Sequence, residues 1–156
     1  MSVPIENGRN QKGLIKDVRI GNNENWQMTH WRTLTACYNN SPYFEYYRDW
    51  LQMFFTEKWN FLFEMNLHIL SWLKQVLKFP AEIIIIENIS DLSETQLIDK
   101  RYEWVPKNFQ QNTLVVTYPQ VFQERIGFRP NLSILDLLFN IGPETTDFLR
   151  RLSLPD

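Results

Sequence analysis

The chain predicts an α/β protein, with α+β as the alternative: one helix-rich domain over residues 1–156 that holds a small mixed sheet. Two observations lead there. Apolar residues recur at helical spacing in successive stretches between Met28 and Val76, the signature of amphipathic helices. Short runs at Leu14–Ile20, Ile83–Ile86 and Leu114–Thr117 are instead brief and rich in β-branched residues, which suits strands.

Ser2-Val-Pro-Ile5 reads as the tail of a strand, followed by a turn through Asn7-Gly8. Leu14 to Ile20 then pairs with it as a hairpin, with Val18 and Ile20 on one face and Asp17 and Arg19 on the other. The Asn22 to Asn25 cluster offers an N-cap for a first helix through Met28, Trp31 and Tyr38, ending near Asn39-Asn40. Ser41-Pro42 starts a second, with Ser as cap acceptor and Pro at the first position, and Phe44, Tyr47, Leu51 and Phe54 form its stripe. Thr56 caps a third, whose row is Leu62, Met65, Ile69, Trp72 or Leu73, and Val76. Lys74 and Lys78 lie at the negative end of its dipole, and Phe79-Pro80 stops it.

Ala81 to Glu87 contains four consecutive isoleucines and is expected to be a central strand buried on both faces. Asn88 to Asn112 reads as loop, and Leu114–Thr117 as a further strand. A polar loop from Tyr118 to Asn131 leads into a compact apolar helix, Ser133 to Asn140, ended by Gly142; Pro143 opens a last helix to Leu152.

With 156 residues, 44% hydrophobic and 22% charged, the chain can bury a continuous core. Six Trp, six Tyr and eleven Phe can each bury about 150–250 Å². Either the core is aromatic or some rings face a partner. The second option points to a protein partner on the aromatic helix 42–55, through Tyr43, Phe44, Tyr46, Tyr47, Trp50, Phe54 and Phe55. A net charge of −2 and a pI near 5.7 give no case for nucleic acid. The lone Cys37 and the absence of a secretory pattern point to the cytoplasm. The longest apolar stretch, Ile83–Ile86, is far short of the roughly 18–20 residues of a membrane span.

His30, on a helix just after a strand carrying Asp17 and Arg19, is the acid–base candidate; the alternative is a half-buried histidine bonded to a backbone carbonyl. Cys37 shares its face but lies about 10.5 Å further along the helix, so the two form no nucleophilic pair within it. Arg19, with Lys16 and Arg32 near it in sequence, suits a phosphate or carboxylate. Ser133 and Asp136 have capping-box-like spacing. Tyr118, Gln120 and Arg129 stand in the polar loop as ligand-binding candidates, against a packing role for Tyr118 beside Pro119. His30 and His68 are the only histidines, neither has a carboxylate pair at metal-site spacing, and the five glycines are dispersed, so no metal or cofactor is expected.

Two blocks resemble the WbqC-like family. One is Lys16-Asp-Val-Arg-Ile20 with Trp26, His30-Trp31, Tyr38 and Ser41-Pro-Tyr-Phe-Glu45; the other is the signature run from Tyr118 to Gly142. Family members usually carry a further N-terminal stretch with a Tyr-Phe-Pro-like motif, so the resemblance implies an N-terminally truncated member. It also implies a bacterial setting of O-antigen, lipopolysaccharide or other surface-polysaccharide biosynthesis. In that setting the protein is expected to be a transferase-like enzyme acting on a nucleotide sugar or lipid-linked sugar. His30 would then be its acid or base, Asp17, Arg19, Arg32, Tyr118, Gln120 and Arg129 would contact substrate, and the two blocks would meet at one cleft. The alternative is a non-catalytic interaction or accessory module of the same pathway.

Overall fold

The computed structural model describes residues 1–8, 13–87 and 116–153. Among them run α1 (Trp26–Tyr38), α2 (Phe44–Thr56), α3 (Leu62–Val76), α4 (Gln123–Ile126), α5 (Ile134–Ile141) and α6 (Thr145–Ser153). Single 3₁₀ turns at Ile15–Asp17 and Gly142–Glu144 precede α1 and α6.

The stripe of α2 buries as its spacing requires: Phe44, Tyr47, Leu51 and Phe54 all face inward. Phe44, Tyr47 and Leu51 join Leu34 of α1, Trp72 of α3 and Leu138 and Phe139 of α5 in one core cluster. Phe139 has no exposed surface and meets the rings of Tyr38 at 5.0 Å and Phe44 at 5.2 Å. Removing such a side chain typically costs about 3–5 kcal/mol. A second cluster gathers Ile20, Trp26, Phe54, Trp59 and Met65. Phe54, in van der Waals reach of Phe55 and Trp59, stands at the junction of the helices with the N-terminal segment. The aromatic excess is therefore largely core, although Tyr46 remains 76% exposed.

The expected mixed sheet is absent among the described residues, where helices replace an α/β architecture. The Ser2–Ile5 and Leu14–Ile20 hairpin shrinks to an isolated antiparallel bridge, Ile5 with Ile20, and Arg19 bridges Phe61 in the same way. Leu14 to Asp17 winds into a 3₁₀ turn instead, closed by the Asp17 N–H on the Leu14 carbonyl at 2.9 Å. The isoleucine run fails more completely. Ile84 and Ile85 are 71% and 61% exposed and the segment has no strand structure. β-Propensity is realised only against a partner strand that completes the ladder, and among the described residues none does. The loop expected at Asn88–Asn112 lies outside the described residues, as do the first two positions of the Leu114–Thr117 strand; Val116 and Thr117 are irregular.

Two helix starts also differ from expectation. Thr56 ends α2, its hydroxyl donating to the Met53 carbonyl at 2.9 Å, rather than capping α3. The intervening chain runs extended to bridge Arg19, so α3 begins only at Leu62. At Ser41 the hydroxyl is buried and caps nothing; α2 starts at Phe44 after the Tyr43 N–H bonds the Phe139 carbonyl at 2.9 Å. Ser133 does cap α5, accepting from the Leu135 N–H.

Candidate functional site

His30 sits half-buried on α1, edge-on to Trp26 at 5.2 Å. Burial first, then the Met1 ammonium, hold its pKa below the ordinary 6.5, opposed by a hydrogen bond to the Ser2 backbone. The imidazole is thus neutral at neutral pH, with one nitrogen engaged by Ser2. The cleft it lines, about 300 Å³, also carries Ser2, Pro4, Glu24, Asn25, Trp26 and Thr29. Asp17, Arg19, Arg32, Tyr118, Gln120 and Arg129 do not line it. Asp17 is exposed in the 3₁₀ turn, and Arg32 is exposed on α1. The Arg19 guanidinium lies 4.8 Å from the centre of the Phe61 ring, a cation–π contact that holds the side chain along the surface.

The signature run is held in place by its own polar residues. Tyr118 donates its hydroxyl to the Asp136 carboxylate at 2.7 Å, and Tyr38 of α1 hydrogen-bonds the same carboxylate. Asp136 is 3% exposed, so this acceptor is buried and each charge-assisted bond to it is of the stronger kind. Burial first, then the bond to Asp136, raises the pKa of both Tyr38 and Tyr118 well above the tyrosine range. Gln120 clamps the loop across its mouth: its amide donates to the Arg129 carbonyl at 2.8 Å and accepts from the Arg129 N–H at 2.9 Å. Gly142 closes the run at φ +53, where an added Cβ would lie 2.4 Å from the Tyr43 ring. Tyr118, Gln120, Arg129, Ser133 and Asp136 thus fasten a loop to α5 and α1. Tyr118 lines two shallow clefts with Phe148 and Leu152, and His30 lines neither. None of these three clefts holds residues of the signature run together with His30; a contact between the two motif blocks is made by Tyr38, bonded to Asp136.

A larger cleft, about 630 Å³, opens between α2, α3 and α6. Its aromatic wall is Tyr46, Tyr47, Trp50 and Trp72, the two indoles stacked at 4.1 Å and 9°. Gln75, Lys78, Thr146, Asp147 and Arg150 supply polar and charged groups. Arg150 reaches Asp147 at 3.4 Å on an exposed helix face. Thr146 ties α6 to the end of α3 by donating to the Leu77 carbonyl at 3.0 Å. Sequence reasoning put Tyr46, Tyr47 and Trp50 on a partner-facing aromatic helix but missed Gln75, Lys78, Thr146, Asp147 and Arg150. Lys78 read as a dipole partner of α3, and nothing in the spacing of Trp50, Lys78 and Arg150 announces that three helices bring them together. Among the described residues no group of three or more His, Cys, Asp or Glu is placed to hold a metal ion.

Fold and cleft together define a helical protein with an aromatic, cation-rimmed surface cleft. The chain belongs to the WbqC-like protein family, which matches residues 1–112 and 101–148. It is similar to the uncharacterized protein Rv1507c of Mycobacterium tuberculosis, 28% identical over 180 aligned residues that cover 96% of this chain and 75% of the relative. No solved structure matches it. No helix among the described residues is long and apolar enough to cross a membrane.

Proposed function

We propose that this WbqC-like protein works in the cytoplasm on bacterial surface polysaccharide, of the O-antigen or lipopolysaccharide kind, and binds an activated sugar in the α2–α3–α6 cleft. The observation that carries this reading is the cleft's composition: four aromatic rings beside Lys78 and Arg150. A pyranose presents C–H faces that pack on rings and hydroxyls that need polar partners, here Gln75 and Asp147. An activated sugar also carries phosphate, which ammonium and guanidinium groups bind through charge-assisted bonds. A pocket with apolar walls and a few convergent polar groups is the usual form of a small-ligand site.

Whether a transferase step follows binding turns on a second observation. Among the described residues the cleft is lined by one carboxylate, Asp147, already beside Arg150, and by no histidine. That favours a non-catalytic accessory module over an enzyme using His30, whose cleft is separate. Calorimetric titration of nucleotide sugars and lipid-linked sugars into wild-type, Tyr46→Ala and His30→Ala protein tests both readings. Sugar binding lost in Tyr46→Ala and kept in His30→Ala, with no sugar released over time, is the expected result. Loss confined to His30→Ala, or turnover abolished by it, restores the His30 enzyme; absence of heat with every sugar removes the sugar reading.

A further inference from the structure

A second cleft of about 450 Å³, walled by Leu77, Phe79, Pro80 and Leu149, adjoins the aromatic cleft, and the two share Lys78, Thr146 and Arg150. Lys78 and Arg150 thus border both clefts. The second branch is apolar, and among its described lining residues there is no carboxylate. Its one hydroxyl, on Thr146, already donates to the Leu77 carbonyl.

Those facts select among carriers of an activated sugar. A nucleotide would place a base rich in donors and acceptors in the apolar branch, where buried polar edges left unpaired are costly. A hydrocarbon chain loses nothing there and gains by burial. Phe79, in the wall of the branch, is 57% exposed, so the slot opens to solvent and a longer chain can run out of it. Lys78 itself is held at φ +49 in the C-terminal turn of α3, with the Phe79 N–H closing on the Lys74 carbonyl at 2.9 Å. Glycine is the favoured residue at such a left-handed position. Lysine at this position bears a backbone cost and lines both clefts.

We propose that the paired clefts bind a sugar carried on a lipid phosphate: the sugar on the aromatic wall, the phosphate between Lys78 and Arg150, and the lipid chain in the apolar branch. This rests on the sugar-binding reading and narrows its carrier.

The test uses the full chain, follows tryptophan fluorescence, and keeps every lipid below its aggregation concentration. Geranylgeranyl phosphate is expected to bind at least about tenfold more tightly than geranylgeraniol, inorganic phosphate or uridine diphosphate glucose. Lys78→Gly and Phe79→Ser should each weaken it by about tenfold or more, with no fall in Tm for Lys78→Gly. Binding insensitive to both variants, or uridine diphosphate glucose binding as tightly as the lipid phosphate, overturns the proposal. Linking glucose to the lipid phosphate should tighten binding further, and Tyr46→Ala should erase only that increment. No gain from the glucose would sink the sugar reading and leave the lipid-phosphate slot standing; a nucleotide sugar as sole ligand would do the reverse.

Discussion

The signature run and the α2–α3–α6 cleft use polar residues in opposite ways. In the run, Tyr118, Gln120, Ser133 and Asp136 bond to one another or to nearby backbone. Little of their hydrogen-bonding capacity remains for a ligand. In the cleft, Lys78 and Arg150 line open volume, and the rings of Tyr46 and Trp50 border it. A motif that is distinctive as a word in sequence can therefore serve to fasten a loop. Residues without any motif can form the concave surface. The two regions should separate under mutation, with stability lost in the first and binding in the second.

The largest expected effect is at the buried carboxylate. Asp136→Ala leaves the Tyr118 and Tyr38 hydroxyls without their shared acceptor and should cost roughly 2–5 kcal/mol in urea unfolding. A loss within experimental error would mean that the clasp does not hold the loop. Gly142→Ala comes next, at about 1–3 kcal/mol from the backbone conformation alone, with the Tyr43 ring displaced as well. Wild-type Tm carries the same comparison into alkaline solution. The folded protein keeps Tyr38 and Tyr118 protonated beyond the ordinary value of 10, whereas the unfolded chain releases those protons. Stability is accordingly flat in these groups below pH 10 and falls as pH rises above it; Asp136→Ala should flatten that fall.

Lys78→Gly should move stability the other way, by up to about 1 kcal/mol of gain, since glycine relieves the left-handed strain. The smallest effect belongs to His30. Its folded pKa lies below 6.5, so the unfolded state binds the extra proton first as pH falls. Its contribution to stability is constant above 6.5 and declines as pH drops through the window beneath it. His30→Gln should remove that slope in chemical unfolding measured across mildly acidic pH; an unchanged slope would place the titration elsewhere.

Much of the helical frame was legible in sequence because it rests on local periodicity. Phe44, Tyr47, Leu51 and Phe54 are spaced for one helical face and occupy it, and the cap at Ser133 forms. What failed depended on partners distant in sequence. Ile83–Ile86 have the composition of a buried strand, but composition supplies no neighbouring backbone, and three of the four stay exposed. Thr56 has the chemistry of a cap, yet the bridge between Arg19 and Phe61 delays α3. The cleft was hidden for the same reason. Trp50, Trp72, Lys78 and Arg150 come from separate helices or their ends, and only packing of α2, α3 and α6 makes them neighbours.

Hydrogen exchange with and without geranylgeranyl phosphate compares the two regions in one experiment. Added protection is predicted at residues 72–80 and 146–152, which border the paired clefts, with residues 26–31 and 118–131 unchanged. Protection confined to the segments around His30 or the signature loop, and absent from the ends of α3 and α6, would contradict the account.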